Sequence, residues 1–222
     1  MQRIRITFSR GEEIKYISHL DMMRMWERVF RRAGLPLAYT KGFNPHPRLS
    51  LAAPLPVGTL ALAEMLDVYL ESVLLPDQLW KDVERQLPPG AGISRVEEVE
   101  ATGPSLSSMV RAAEYEVAVT TFWSRRDMEE RVDRLLWTSK LMRERRVPKG
   151  ASAAKGHAEE ARRYNLRLLI EDVWVDRWNF ERVLGMRLKA SPGATGRPED
   201  VLDELRLAPN LAEITRTRLI LA

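Results

Sequence analysis

The chain contains no cysteine among its 222 residues. That excludes disulfides, thiolate nucleophiles, zinc ribbons and cysteine-ligated iron–sulfur clusters. Histidine is almost as scarce. A three-histidine zinc site would need all of His19, His46 and His157, and no two share one helix face at ligand spacing, so no metal and no other cofactor is expected on this chain alone. Neither G-x-G-x-x-G nor G-x-x-x-x-G-K-[ST] occurs, which removes the common glycine-rich phosphate loops. No apolar run approaches the roughly 18–20 residues of a membrane helix, and the opening MQRIRITF lacks the basic-then-apolar order of a signal peptide. The expected setting is the cytoplasm, without a membrane partner.

What is present is an ordinary globular balance, 45% hydrophobic and 30% charged residues, enough to bury a real interior. The length allows two domains of about 100 residues each. The net charge of +4 is unevenly spread. Residues 1–60 hold ten Lys/Arg against four Asp/Glu, whereas residues 61–112 hold four against nine. Positive charge therefore gathers at the N-terminal end, where it attracts phosphates or acidic surfaces.

Alternation of apolar and polar side chains over Arg3–Phe8 predicts a half-buried strand. Met22, Trp26, Val29, Phe30 and Ala33 repeat at helical spacing, so a helix is expected from Ser18 to Ala33, ended by Gly34 and Pro36. Strands over 49–55 and 64–70, a helix over 76–86 and a strand over 93–100 complete a β-α-β-β-α-β order, that of a split βαβ, ferredoxin-like sandwich. The second half predicts strands at 115–121, 141–147, 164–170, 183–190 and 214–221, a helix from Ser124 to Ser139 with an S-x-x-D start, and a helix opened by Pro198. A loop is expected over 148–156. The fold class expected is α+β, with two ferredoxin-like domains of antiparallel sheet, 1–101 and 112–222, joined by a linker at 102–111.

Ser18-His19-Leu20-Asp21 superficially suggests a hydrolase. Neighbours at a helix start do not converge as a catalytic relay does, so capping is the simpler account of Ser18 and Asp21. His19 has no such structural reason and is a candidate site residue. On the same helix Arg24, Arg28 and Arg31 fall on one stripe, able to meet phosphates or simply to face solvent.

The loop Lys41-Gly42-Phe43-Asn44-Pro45-His46-Pro47-Arg48 carries the strongest signal. Pro45 and Pro47 hold Asn44 and His46 in extended backbone, which lowers the entropy lost on binding. Lys41 and Arg48 supply charge and Phe43 a stacking face, the set that single-stranded RNA or a nucleotide requires. The structural alternative is a connecting loop in which Phe43 plugs the core and Asn44 caps a turn. His46 could act as an acid or base, with Asp21 or Glu64 as conceivable carboxylate partners. A second basic patch is expected from Arg143, Arg145, Arg146, Lys149, Lys155 and His157, and Arg216 and Arg218 are read on one face of the last strand.

The run KYISHLDMMRMWERVFRRAGLPLAYTKGFNPHPRLSLAAPLPVGT, with Glu64 and Asp67 beyond it, resembles the opening of the bacterial radical-SAM-linked proteins of unknown function. Arg167–Ile170, Arg197-Pro198 and Arg216–Arg218 are similar to that family's later half, although Asn165 and Leu168 stand where the pattern has Asp and Pro. The resemblance implies a radical-SAM partner and a setting in RNA processing. With no cysteine here, the partner would have to bring the iron–sulfur cluster.

Together these readings lead to an expected accessory module that binds tRNA or rRNA beside a radical-SAM enzyme. Lys41, Arg48, Arg24, Arg28 and Arg31 would contact phosphates, Phe43 would stack, and Asn44 and His46 would add polar recognition. One alternative is an enzyme using His19, Asp21 and His46 for acid–base chemistry on RNA or a nucleotide. Another is a protein-interaction subunit whose basic helix docks an acidic face of a radical-SAM partner.

Overall fold

The computed structural model describes residues 1–145 and 162–222. Its first half contains β1 (Gln2–Arg10), α1 (His19–Arg32), β2 (Leu49–Leu51), β3 (Leu60–Leu70), α2 (Pro76–Glu84) and β4 (Ala91–Val99). A crossing with the short α3 (Leu106–Met109) leads to β5 (Val110–Ala118) and α4 (Arg125–Trp137). Then follow β6 (Met142–Arg145), β7 (Arg162–Asn165), β8 (Ile170–Trp178), β9 (Arg182–Ser191), β10 (Ala194–Thr195), α5 (Pro198–Glu204) and β11 (Glu213–Leu221). The fold is mixed α+β, built on a large and mostly antiparallel sheet.

Among the described residues nine strands form that sheet, in the order β10-β9-β5-β11-β3-β1-β4, with β2 added to β3 and β8 to β9. Within the first half the neighbours run β4-β1-β3-β2 and all pairs are antiparallel. The second half runs β11-β5-β9-β8, again antiparallel. The halves meet through a short parallel contact, Thr215 with Leu60 and Arg216 with Ala61. Among the described residues β6 and β7 pair only with each other.

Each half has its own apolar cluster. In β1, Ile4, Ile6 and Phe8 point to one side and are buried against Trp26 and Phe30 of α1 and Leu79 and Val83 of α2. The Phe8 and Trp26 rings meet edge-on at 4.9 Å. The second cluster joins Tyr115, Val117, Leu184 and Met186 of the sheet to Met128 and Val132 of α4 and Val201 and Leu202 of α5. The expected helix starts appear with their caps: the Ser18 side chain accepts from the Asp21 N–H, and Ser124 with Asp127 closes a full capping box.

Two expectations are corrected. Residues 164–170 are not one strand: Asn165 Oδ1 accepts from Leu141 N at 2.8 Å and Arg167 N at 3.1 Å, which tightens Leu166–Leu169 into a 3-10 turn. The strand falls later, in β8, where charges at Glu171, Asp172, Asp176 and Arg177 hide the apolar alternation. Arg216 and Arg218 do not share a face. The register slips between them, so Arg216 lies opposite Tyr115 while Arg218 lies opposite Glu114, and adjacent residues of β5 point to opposite sides. The expected loop 148–156 lies outside the described residues.

The face of β1 opposite its apolar cluster carries Arg3 and Arg5, both buried on Asp67. Arg3 Nη2 lies 2.5 Å from Oδ2 and Arg5 Nε 2.9 Å from Oδ1. Arg3 also donates to the carbonyls of Glu100, Gly103 and Pro104, which ties the crossing between the halves to the first strand. Asp67→Ala leaves two buried guanidiniums without a counter-charge. It is expected to lower stability by about 3–5 kcal/mol in urea unfolding, and a loss below about 1 kcal/mol would show that the pair does not hold this junction.

Candidate functional site

The basic loop is a small two-armed projection. Gly34, at φ +69, ends α1, and Leu37 then pairs with Leu70 at the end of β3. Ala38 N donates to Tyr69 O at 2.8 Å, and Tyr69 N donates to Arg48 O at 3.0 Å, so both arms start from one residue of β3. Between the arms, Arg48 N reaches Ala38 O at 2.7 Å and Thr40 N reaches His46 O at 2.8 Å. The His46 N–H also donates to the Thr40 hydroxyl at 3.0 Å. Pro47, buried, packs the neck, while Lys41 through His46 are exposed. Gly42 takes φ +137 at the tip, a conformation that side-chain-bearing residues rarely adopt.

Phe43 is fully exposed, so it does not plug the core. Lys41, Asn44 and His46 stand beside it on the tip. Arg48 differs: its guanidinium lies 4.3 Å over the Tyr69 ring, which Arg3 also approaches at 5.7 Å. Arg48 thus braces the neck by a cation–π contact.

On α1, Arg24, Arg28 and Arg31 are exposed while Met22, Trp26, Val29 and Phe30 are buried on the other side. Arg24 Nη1 donates to Asp21 Oδ1 at 3.1 Å, and the Ser18 hydroxyl donates to Asp21 Oδ2 at 2.7 Å. These bonds, Ser18 first and Arg24 second, hold the Asp21 carboxyl below its usual range. Among the described residues no carboxylate pairs with Arg28 or Arg31.

His19 and His46 are not brought together. His19 opens α1 and lines a small pocket with Phe8, Arg10 and Glu64, at the Glu64 end of β3. The arms that carry His46 start from Tyr69, five residues further on and about 17 Å away along the strand. No described hydrogen bond joins either imidazole to Asp21. Glu64, a conceivable partner for His46, is instead buried on Arg216. Of the second basic patch, Arg143 is matched by Asp203 and Glu204, while Arg146, Lys149, Lys155 and His157 lie outside the described residues, as does the Arg145 side chain.

Sequence reasoning did not find the cleft between the two halves. It encloses about 620 Å³ and is walled on one side by Ala53, Pro54, Leu55, Pro56 and Thr59 and on the other by Thr195 through Asp200. Tyr115, Ile214 and Arg216 close its floor. Ala53 and Leu55 also line the His19 pocket, so the two hollows adjoin.

Arg216 organises the floor. Its Nε donates to Glu64 Oε1 at 2.6 Å and its Nη2 to Oε2, and it also reaches the carbonyls of Pro54 and Ala53 at 3.2 Å each. Burial opposes its charge, but Glu64 and Tyr115 together raise its pKa above the ordinary value. Burial likewise pushes the Tyr115 phenol up, against the pull of Arg216. Arg10, also buried, faces both Glu64 and Arg216 and donates to the carbonyls of Ile14, Lys15 and Ile17 just before α1. The readable signal was a charged residue in a register otherwise buried, which calls for a partner.

Among the described residues no group of three or more His, Asp or Glu is placed to hold a metal, and no helix is long and apolar enough to cross a membrane. Arg216→Met should lower stability by about 3–5 kcal/mol, because Glu64 stays buried and loses its main counter-charge. Adding Glu64→Leu should restore only part of that, since Arg10 then remains buried without a carboxylate. Urea midpoints of the three variants measure this, and full recovery in the double variant would remove Arg10 from the network.

The sequence family described as an uncharacterized protein conserved in bacteria, DUF2344, matches residues 3–195. No curated protein matches the chain. A solved structure titled "Crystal Structure of a Cbf5-Nop10-Gar1 Complex" is similar at 8% identity and TM-score 0.48, over 98% of this chain and 48% of that one. The chain thus spans about half the length of that solved chain.

Proposed function

The chain belongs to this bacterial family, DUF2344, and on that footing we propose that it is an accessory module that binds single-stranded RNA through the braced Lys41–Arg48 loop and the arginine stripe of α1. The observation that carries the reading is the fully exposed Phe43 ring beside Lys41, on a tip whose arms are hydrogen-bonded to β3. An exposed aromatic on a rigid support is prepaid for stacking, and every base has a face to stack. Lys41, Arg28 and Arg31 supply phosphate contacts, with Arg24 shared with Asp21 and Arg48 steadying the neck. Asn44 and His46 flank Phe43 as polar readers.

The strand orders β4-β1-β3-β2 and β11-β5-β9-β8 support a finer reading of the halves, 1–101 and 112–222, as two split βαβ, ferredoxin-like units. A radical-SAM enzyme is the proposed partner. The resemblance over Lys15–Thr59 supports it, as does the lack of cysteine, since chemistry on the bound RNA would come from the partner's cluster. The proposed setting of both is the cytoplasm.

Fluorescence anisotropy with a ten-nucleotide RNA tests the binding. Three phosphate contacts give a slope of about −2 in log affinity against log salt, so raising salt from about 50 to 200 mM should weaken binding roughly twentyfold. Phe43→Ala should remove about 1–3 kcal/mol. Salt-independent binding, or an unchanged affinity in Phe43→Ala, would overturn the proposal.

A further inference from the structure

We infer that the cleft between the Ala53–Thr59 wall and the β10–α5 corner is a binding site for one nucleoside unit, a flat heterocycle with N–H donors attached to its sugar. The inference deepens the RNA-binding reading and rests on it for the choice of ligand class. The site itself is read from geometry and charge.

Its size suits such a ligand: about 620 Å³ lies inside the roughly 300–1,000 Å³ of small-molecule pockets. Pro54, Leu55, Pro56 and Ile214 give apolar surfaces against which a heterocycle can lie. The polar groups are few and unequal in their commitments. Arg216 is neutralised by Glu64. Asp200 is occupied, its Oδ2 accepting from the Tyr164 hydroxyl at 2.7 Å and its carbonyl from Arg143 at 2.8 Å.

Two charged groups remain uncommitted among the described residues. Glu199 lines the cleft, and its Oε2 is buried with no hydrogen-bond donor among the described residues. A buried acceptor without a partner is an uncommon state that calls for an explanation, and a donor group brought by a ligand is one. Carboxylates accept readily from the N–H edge of a base. Arg197, exposed at the mouth, has no carboxylate partner among the described residues. One free acid inside and one free base at the mouth make the cleft nearly neutral. That excludes a polyphosphate and fits a base held within and a single phosphate at the rim.

The cleft is also continuous with the loop. Ala53 lies five residues beyond Arg48, and β2 carries the chain between them, about 17 Å if extended. A strand held on Phe43 and Lys41 therefore has a path along this segment to the cleft. The same nucleoside chemistry can arrive free or as one residue of an RNA, and the experiment separates these sources.

The full chain is titrated calorimetrically with the four ribonucleoside monophosphates, and by fluorescence with a ten-nucleotide RNA containing 2-aminopurine. The variants are Thr195→Trp, which fills the mouth from an exposed position, and Glu199→Gln, each checked for an unchanged thermal melt. At least one monophosphate, or the 2-aminopurine signal, should weaken tenfold or more in Thr195→Trp and at least fivefold in Glu199→Gln. A response of the monophosphates identifies a free nucleotide as the source, and a response of the oligonucleotide alone identifies a strand. If neither ligand responds to either folded variant, the site does not exist. Monophosphate binding that responds to the variants, with no RNA binding by the native chain, removes the RNA reading and leaves the cleft site standing.

Discussion

A glutamate and an arginine 152 residues apart in sequence meet between the two halves of the sheet, and the arrangement of the cleft depends on their contact. The parallel seam of β3 and β11 is short, with two residue pairs, too few backbone bonds to fix the halves alone. Glu64 and Arg216 supply the missing specificity, because a buried charge tolerates only the geometry that compensates it. Arg216 also holds the carbonyls of Ala53 and Pro54, so the contact that joins the halves also fixes one wall of the cleft. Arg10 extends the constraint to the turn before α1, through three carbonyls.

Asp67 repeats the device on the other side of β1. With Arg3 and Arg5 it forms a buried group with an excess positive charge, and the carbonyls of Glu100, Gly103 and Pro104 take up the remaining donors of Arg3. By contrast the arginines of the β5–β9–β11 surface are matched nearer solvent, with the half-buried Glu114 receiving the more exposed Arg187 and Arg218. Pairs that open to solvent on one side contribute less to stability than enclosed ones. The chain thus uses arginine in three ways: buried to fix junctions, paired on the sheet surface, and without a carboxylate partner among the described residues at Arg28, Arg31 and Arg197.

Local pattern made much of this legible. The alternation of Ile4, Ile6 and Phe8, the helical spacing of Met22, Trp26 and Phe30, and the serine caps at Ser18 and Ser124 depend on near neighbours, and each formed where expected. The exposure of Lys41 to His46 also follows from local chemistry, since two prolines and a glycine leave few donors for a sheet. What stayed hidden depends on distant partners. The slip that separates Arg216 from Arg218 exists only against β5. The turn at Leu166–Leu169 needs Asn165 to accept from Leu141. The cleft needs segments more than a hundred residues apart.

The separation of His19 from His46 follows from the same geometry and bears on chemistry. Acid–base catalysis needs its groups within hydrogen-bond reach of one substrate, and His19 lies beside Glu64 whereas the arms that carry His46 start at Tyr69, about 17 Å further along β3. Asp21 is held to Ser18 and Arg24 instead of turning to either imidazole. A loop that presents an aromatic, a lysine and a histidine on a braced neck is suited to holding a strand. In the proposed reading the groups that meet an individual residue of that strand lie at the other end of the same segment, where Ala53 and Leu55 form the boundary between the His19 pocket and the cleft. On the proposed reading the exposed loop supplies most of the affinity, while in the nearly neutral hollow the buried Oε2 of Glu199 adds selection by hydrogen bonding.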